Sequence, residues 1–377
     1  MGPRENNRDT TAGEREGQTG LWRILQNRRV AVALLVGALL VHHTAVWAYV
    51  ATKRAIPVGV LLNQWDANVY SEIIQHGYSG DLFAFFPLYA LCVRALAWML
   101  GLLSSPQYVG CALSTLLLLV FILTCEHAQT EDGSLRPRTP WGWAVFLFSP
   151  ASYVFHSHHT ESLFLVLSFA SLYWAATDRP LRAGFASALC ILTRNQGFLV
   201  ALVVWLFALL RSKPRERLRV FALAGVPVML SVGGLLLFEK IASGDALAFV
   251  HAQRNWSHAD SVHSVFATFW FGNPWQSPDL YSWGSLVFFL VLGAATIPLI
   301  RRGSPLGVYV ALSLVIQLAQ GELVHAFRYG AVLFPALFPA GDFLTRLPRP
   351  FRWAALALLV VANHNVTQRY ALGRWAY

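Results

Sequence analysis

Apolar runs close to the length of a membrane span recur along this chain from residue 30 to residue 363. A helix needs about 20 predominantly apolar residues to cross a hydrocarbon core roughly 30 Å thick. Of the 377 residues, 56% are hydrophobic and only 13% are charged, where a soluble domain would carry about a quarter charged residues. The pattern predicts an all-α fold, a polytopic transmembrane helical bundle. The first run, Val30 to Val50, is too long for the apolar part of a signal peptide and lacks a small-x-small cleavage site, so it reads as a helix. Residues 1–29 form a polar, partly disordered tail. Cys92, Cys111, Cys125 and Cys190 lie inside apolar stretches without metal-type spacing and read as small buried hydrophobes.

The formal net charge is +10, but the basic residues are scattered over short loops between apolar runs. That distribution points to anionic membrane lipids and away from nucleic acid. Basic loops mark the cytoplasmic side. The candidates are the tail through Arg29, Arg136 with Arg138, Arg179 with Arg182, the cluster Arg211 to Arg219, Arg301 with Arg302, and Arg346, Arg349 and Arg352. Counting Phe83 to Leu103 as a span would turn every later basic loop outward. With its Pro87 and Arg94, it is read instead as an outer interfacial or re-entrant helix. The spans are then 30–50, 107–127, 141–155, 160–177, 182–193, 197–210, 220–240, 283–300, 305–320, 329–345 and 353–363. That makes about 11 helices in a single transmembrane domain, 30–363. The N-terminus is inside, and residues 364–377 form a short tail outside. Residues 51–106 and 242–282 are the large outer segments. The run 182–193 gives only about 18 Å of helix, so Arg194-Asn195-Gln196-Gly197 should lie below the outer surface in a protein-lined cavity.

With this parity the unusual polar clusters share one face: Asn63 to Asp81, His156 to Glu161, Arg194 to Gly197, Asp245 to His263, and Glu322 to Arg328. Ionisable groups at membrane depth are functional candidates. Each also has a plainer reading. Asp66 could act as a general base or cap a short helix beginning near Ala67. His76 could meet substrate or bond a loop carbonyl. Glu161 could serve the chemistry or only favour a helix N-terminus. Arg194 and Arg328 could bind phosphate or pair with Glu161 or Glu322. His156, His158 and His159 do not have the i, i+4 spacing of a helical zinc pair, and a wet, aromatic-lined loop is the commoner arrangement. Trp65, Tyr78, Trp256 and Trp270 could stack on sugar or belong to an interfacial aromatic belt.

Trp65-Asp66-Ala67 followed by His76-Gly77-Tyr78, then Phe85-Phe86-Pro87-Leu88-Tyr89, resembles the first-loop motifs of the GPI mannosyltransferase II (PIG-V type) family and its prokaryotic relatives. Thr160-Glu161-Ser162, Thr193-Arg194-Asn195-Gln196-Gly197, Gly244 to Phe249 with Gln253 and Trp256, and Arg328-Tyr329 with Pro335 follow in the family's order. Ala90 stands where the family often has a second proline, and His156-Ser157-His158-His159 replaces an aromatic residue. The resemblance implies a GT-C glycosyltransferase fold and an inverting transfer of mannose from a polyprenyl-phosphate donor to a lipid or glycan acceptor. The reaction would take place on the extracytoplasmic side of a multi-pass membrane protein, for which a bacterial plasma membrane is expected. Asp66 would be the catalytic base. The substrate-binding set would be Trp65, His76, Tyr78, His159, Glu161, Arg194, Asn195, Gln253, Trp256, His325, Arg328 and Tyr329. No cofactor is demanded, although Asp66 with Glu72 or Asp81 could hold a divalent cation. Two other functions compete: a transporter of a lipid-linked substrate, and a non-catalytic membrane assembly subunit.

Overall fold

The computed structural model describes residues 27–256, 280–319, 323–374 and 376. Helices make up most of the described residues, beginning with α1 (Arg28–Arg54), α2 (Val58–Leu61), α3 (Asp66–His76), α4 (Pro87–Met99) and α5 (Pro106–His127). These are followed by α6 (Pro140–Leu147), α7 (Glu161–Ala176), α8 (Pro180–Thr193), α9 (Gly197–Arg211), α10 (Arg217–Ser243) and α11 (Ala248–Trp256). The last five are α12 (Leu280–Arg301), α13 (Pro305–Ala319), α14 (Ala326–Ala331), α15 (Phe334–Leu344) and α16 (Arg349–Ala371), and no strand occurs among the described residues. Helices α1, α5 and α10 and residues Ser282–Arg301 of α12 are long and apolar enough to cross a membrane, and α4, α7, α8, α9 and most of α13 are shorter apolar helices. This is a helical, membrane-embedded protein.

Proline sets many of the boundaries. It occupies one of the first two positions of α4, α5, α6, α8, α15 and α16, where its fixed φ suits a helix start and its missing N–H costs nothing. Asn27 caps α1 by accepting from the Arg29 amide at 3.1 Å. Gly244, with φ 81°, closes α10 in the left-handed conformation.

Three expected spans come out differently. The run 141–155 is helical only to Leu147, with a separate 3-10 turn at Ser152–Phe155. Pro150 breaks it, because its ring clashes with a preceding carbonyl and it has no N–H to donate. The run 329–345 divides into α14 and α15 around Leu333, just before Pro335. The last run does not stop at residue 363, and residues 364–371 continue α16 instead of starting a tail. Asn363 and, in this extension, Thr367 and Tyr370 are buried, and Tyr370 stacks on Tyr153 with ring centroids 4.4 Å apart. The segment expected to lie along the interface forms α4, whose 13 residues give about 20 Å of helix, short of a full crossing.

Small residues allow close helix approach, as bundles without a hydrophobic driving force between helices require. A Cβ on Gly184 would overlap the Ala224 backbone, which brings α8 against α10. A Cβ on Gly341 would overlap Trp141 and Gly142, which brings α15 against α6. Successive long helices run back and forth, so polar residues collect at two opposite ends of the bundle. At one end Arg28 meets Glu126 in two bonds of 2.6 and 2.7 Å. There Asp342 also accepts from the Arg138 and Thr139 amides at 2.7 and 2.8 Å. The other end carries α3, α11, α14 and the residues described next.

Candidate active site

Four charged side chains from distant parts of the sequence meet at helix termini. Asp66 is the first residue of α3 and Glu161 the first of α7; Arg194 directly follows α8, and Arg328 belongs to the short α14. Arg328 bridges the two carboxylates, with Nη1 2.5 Å from Asp66 Oδ2 and Nε 2.5 Å from Glu161 Oε1. Arg194 Nη1 donates to the same Glu161 oxygen, and to Thr160 Oγ1 at 3.4 Å. The Arg194 guanidinium also lies over the Tyr329 ring, 5.5 Å from its centroid, and near Phe164 at 5.9 Å, a favourable cation–π arrangement.

Burial separates the two carboxylates. Glu161 is fully buried, whereas the Asp66 side chain keeps 20% of its exposure. A buried charge is tolerated only when paired and hydrogen-bonded, and Glu161 Oε1 receives both arginines. Its other oxygen, Oε2, is buried without a hydrogen-bond partner among the described residues. Glu161 thus organises the guanidinium groups from below, and Asp66 is the carboxylate that solvent or substrate can reach. The N-terminal ends of α3 and α7 favour negative charge at both positions. Trp65, immediately before Asp66, has φ 52° and ψ −126°, a backbone conformation costing about 1–3 kcal/mol for a non-glycine residue. Its indole Nε1 donates to the Arg374 carbonyl at 3.2 Å, which ties the strained turn to the end of α16.

A buried layer supports this quartet. The Tyr70 ring lies edge-on to Tyr89 at 5.1 Å and to Phe85 at 5.4 Å, and burial pushes its phenol well above the usual range. Tyr89 Oη is 2.9 Å from His158 Nδ1. His159 Nδ1 lies 2.8 Å from Ser157 Oγ, and its ring is flanked by Tyr153 and Tyr370. Burial first, then the Arg328 charge, pushes this imidazole down to about 3, so it is neutral at neutral pH. The expected wet histidine loop is therefore corrected: His156, His158 and His159 are all buried, because the loop folds inward against α1, α5 and α16.

His43 and Asn363, which the sequence reading did not single out, belong to the same layer. Asn363 Nδ2 donates to the Ser149 carbonyl at 2.8 Å and to Ser152 Oγ at 2.8 Å, which orients its Oδ1 toward His43 Nε2 at 2.6 Å. His43 Nε2 therefore carries the proton, and His43 Nδ1 accepts from His156 Nε2 at 2.5 Å. Asn363 thereby ties α16 to the irregular backbone between α6 and the Ser152–Phe155 turn, and the chain continues through His43 to His156. Polar residues inside the first and last apolar runs were the available signal.

The structure gathers Asp66, His159, Glu161, Arg194, Arg328 and Tyr329 into one site, with Trp65 beside it. Asn195 is half-buried, and its carbonyl accepts from the Phe198 amide at 3.1 Å. His325 lies against Tyr329, with ring centroids 5.8 Å apart. Three expected contributors lie elsewhere. His76 closes α3, about 15 Å along the helix from Asp66 at 1.5 Å per residue, and is exposed. Tyr78 packs on Phe83 and Phe238, and Gln253 Nε2 donates to the Ala84 carbonyl at 3.0 Å. Trp256 ends α11 with a side chain outside the described set, and Trp270 and Glu322 fall outside the described residues. Among the described residues no three His, Cys, Asp or Glu side chains are grouped as metal ligands. Asp66, Glu72 and Asp81 do not converge, since Glu72 and Asp81 are exposed and Asp66 turns to Arg328. No protein-family model, no characterised protein and no solved structure matches this chain.

Proposed function

We propose that this protein is an integral-membrane, inverting glycosyltransferase of the GT-C kind. It moves a mannosyl unit from a polyprenyl-phosphate donor to a lipid or glycan acceptor on the non-cytoplasmic face. The observation that carries this reading is the pairing of Asp66, the accessible carboxylate, with a buried Arg328–Glu161–Arg194 cluster. A sugar phosphate brings its own leaving group, so the protein must supply a base for the acceptor hydroxyl and positive donors for the departing phosphate. The acceptor oxygen forms its bond to the anomeric carbon while its proton passes to an Asp66 carboxylate oxygen. The anomeric C–O bond breaks, and its electron pair leaves on the lipid phosphate. Arg194 and Arg328 donate to that phosphate, a role to which the planar guanidinium is suited, while Glu161 holds them in place. The resemblance in the sequence motifs supports the choice of donor and sugar. The basic loops support an eleven-crossing topology with the Arg28 end in the cytoplasm.

The test is a transfer assay with the purified protein in lipid nanodiscs, polyprenyl-phosphate mannose and membrane-extract acceptors, read by product mass. Wild type should transfer and Asp66→Asn should not, with both eluting as the same folded species. Normal transfer by Asp66→Asn would overturn the role of Asp66. Movement of the labelled donor across vesicles without its cleavage would favour a transporter.

A further inference from the structure

A cleft lies apart from the charged quartet, and none of the four charged residues lines it. Residues 78–83 of the first outer segment face the end of α10 and the start of α11 across a cleft of about 470 Å³. Its lining includes Tyr78, Asp81, Phe83, Ala242, Asp245 and His251.

The local sequence explains its shape. Glu239, buried near the end of α10, accepts from the Phe249 amide at 3.1 Å and so caps the first turn of α11 from a neighbouring helix. Gln253 then ties α11 to the Ala84 carbonyl, and Tyr78 and Phe83 pack on Phe238 to form an aromatic floor. Tyr78 and Phe85 also pack against the cluster containing Tyr70. One aromatic layer therefore separates the cleft from the helix that carries Asp66.

We infer that this cleft binds a neutral, hydroxyl-rich sugar ring, as a subsite for a residue of the acceptor saccharide other than the one that carries the reacting hydroxyl. The inference rests on the proposed transfer reaction for its choice of ligand. The lining argues against an anion, because Asp81 and Asp245 contribute negative charge and the lining base His251 is held by Asp245 at 2.6 Å. A phosphate would instead favour the arginine site. The lining is equally unsuited to an acyl chain, since it includes two carboxylates, two serines and an imidazole. Carboxylates accept from sugar hydroxyls in charge-assisted bonds, and an aromatic ring offers an apolar face with a polar tip. The Tyr78 hydroxyl is buried and has no partner among the described residues. The Leu247 amide, then His251, hold Asp245 below the usual carboxylate range, which keeps it an acceptor at neutral pH.

Binding can be read without turnover. Saturation-transfer NMR on the full chain in nanodiscs would use free α-methyl mannoside and, separately, a mannoside carrying a dodecyl chain. Wild type and Asp66→Asn should both give sugar signals. Ala242→Trp, which fills the cleft from an exposed position, should abolish them, and Asp245→Asn should weaken binding about ten-fold. A signal from the free sugar would assign a glycan acceptor, and a signal from the dodecyl mannoside alone a glycolipid acceptor; either supports the cleft. Unchanged signals in Ala242→Trp, or no signal from either probe on wild type, would overturn it. Cleft-dependent sugar binding by a protein that transfers from no polyprenyl-phosphate donor would leave this inference standing and sink the proposed reaction instead.

Discussion

Arginine–carboxylate pairs hold both ends of this bundle, but they are built differently. At one end Arg28 and Glu126 keep 24% and 12% of their side-chain exposure, and Glu126 also accepts from Trp143 Nε1 at 2.6 Å. These bonds join α1, α5 and α6 where water still screens the charges. At the other end Glu161 is wholly buried, and two arginines converge on one of its oxygens. A partly exposed pair that water still screens contributes about 1 kcal/mol, whereas removing one partner of a buried pair costs about 3–5 kcal/mol. The first arrangement is a tie between helix ends. The second is a preorganised cluster that the fold maintains at a cost, which fits a site where charge must be ready before substrate arrives.

The largest effect expected from this contrast is kinetic. Asp66→Asn should lower transfer by about 10²–10⁴-fold, the usual contribution of a positioned base, with a lowered but still cooperative melting profile because Arg328 loses one of its two carboxylate partners. Single-turnover rates with labelled donor would check it. Next comes Glu161→Gln, which leaves two buried guanidinium groups facing a neutral amide. A loss of about 3–5 kcal/mol should appear as early thermal unfolding and aggregation in detergent. Arg194→Lys removes the planar group above Tyr329 but keeps the charge. We expect about ten-fold weaker donor binding, seen as a raised KM with near-normal stability. The smallest change belongs to the opposite end: Glu126→Gln should cost about 1 kcal/mol or less and leave transfer intact. If Glu126→Gln destabilised the protein as much as Glu161→Gln, the distinction between the two ends would collapse.

Much of the site was legible before the fold was known, because charged residues are rare in apolar sequence and therefore conspicuous. Asp66, Glu161, Arg194 and Arg328 stand out for that reason, and the short run ending at Thr193 points to a sunken Arg194, which is indeed buried. What could not be read was which groups share a bond. Pairing of the arginines with Glu161 is one of two readings open in the sequence, and Glu322, the other candidate, lies outside the described residues. The histidine loop was misplaced because imidazoles look polar in sequence, although neutral ones satisfied by Tyr89, Ser157 and His43 sit comfortably inside. The division of two long runs by Pro150 and Pro335 was visible as a residue type but not as a consequence. Pro150 deprives the Phe146 carbonyl of its usual donor, and the Ser149 amide takes that place, while Asn363, more than two hundred residues away, donates to the Ser149 carbonyl and holds the broken segment.

By itself the sequence determined the helical, membrane-embedded class and the inventory of unusual charges, since hydrophobic length and composition act locally along the chain. Tertiary structure alone decided that Asp66 stays accessible while Glu161 is sealed in. It also placed Tyr78 and His76 away from the charged quartet, although they are near Asp66 in sequence. Burial and bond geometry depend on which helix ends meet, and contacts between residues 66, 161, 194 and 328 follow from packing of the whole bundle, not from any spacing along the chain.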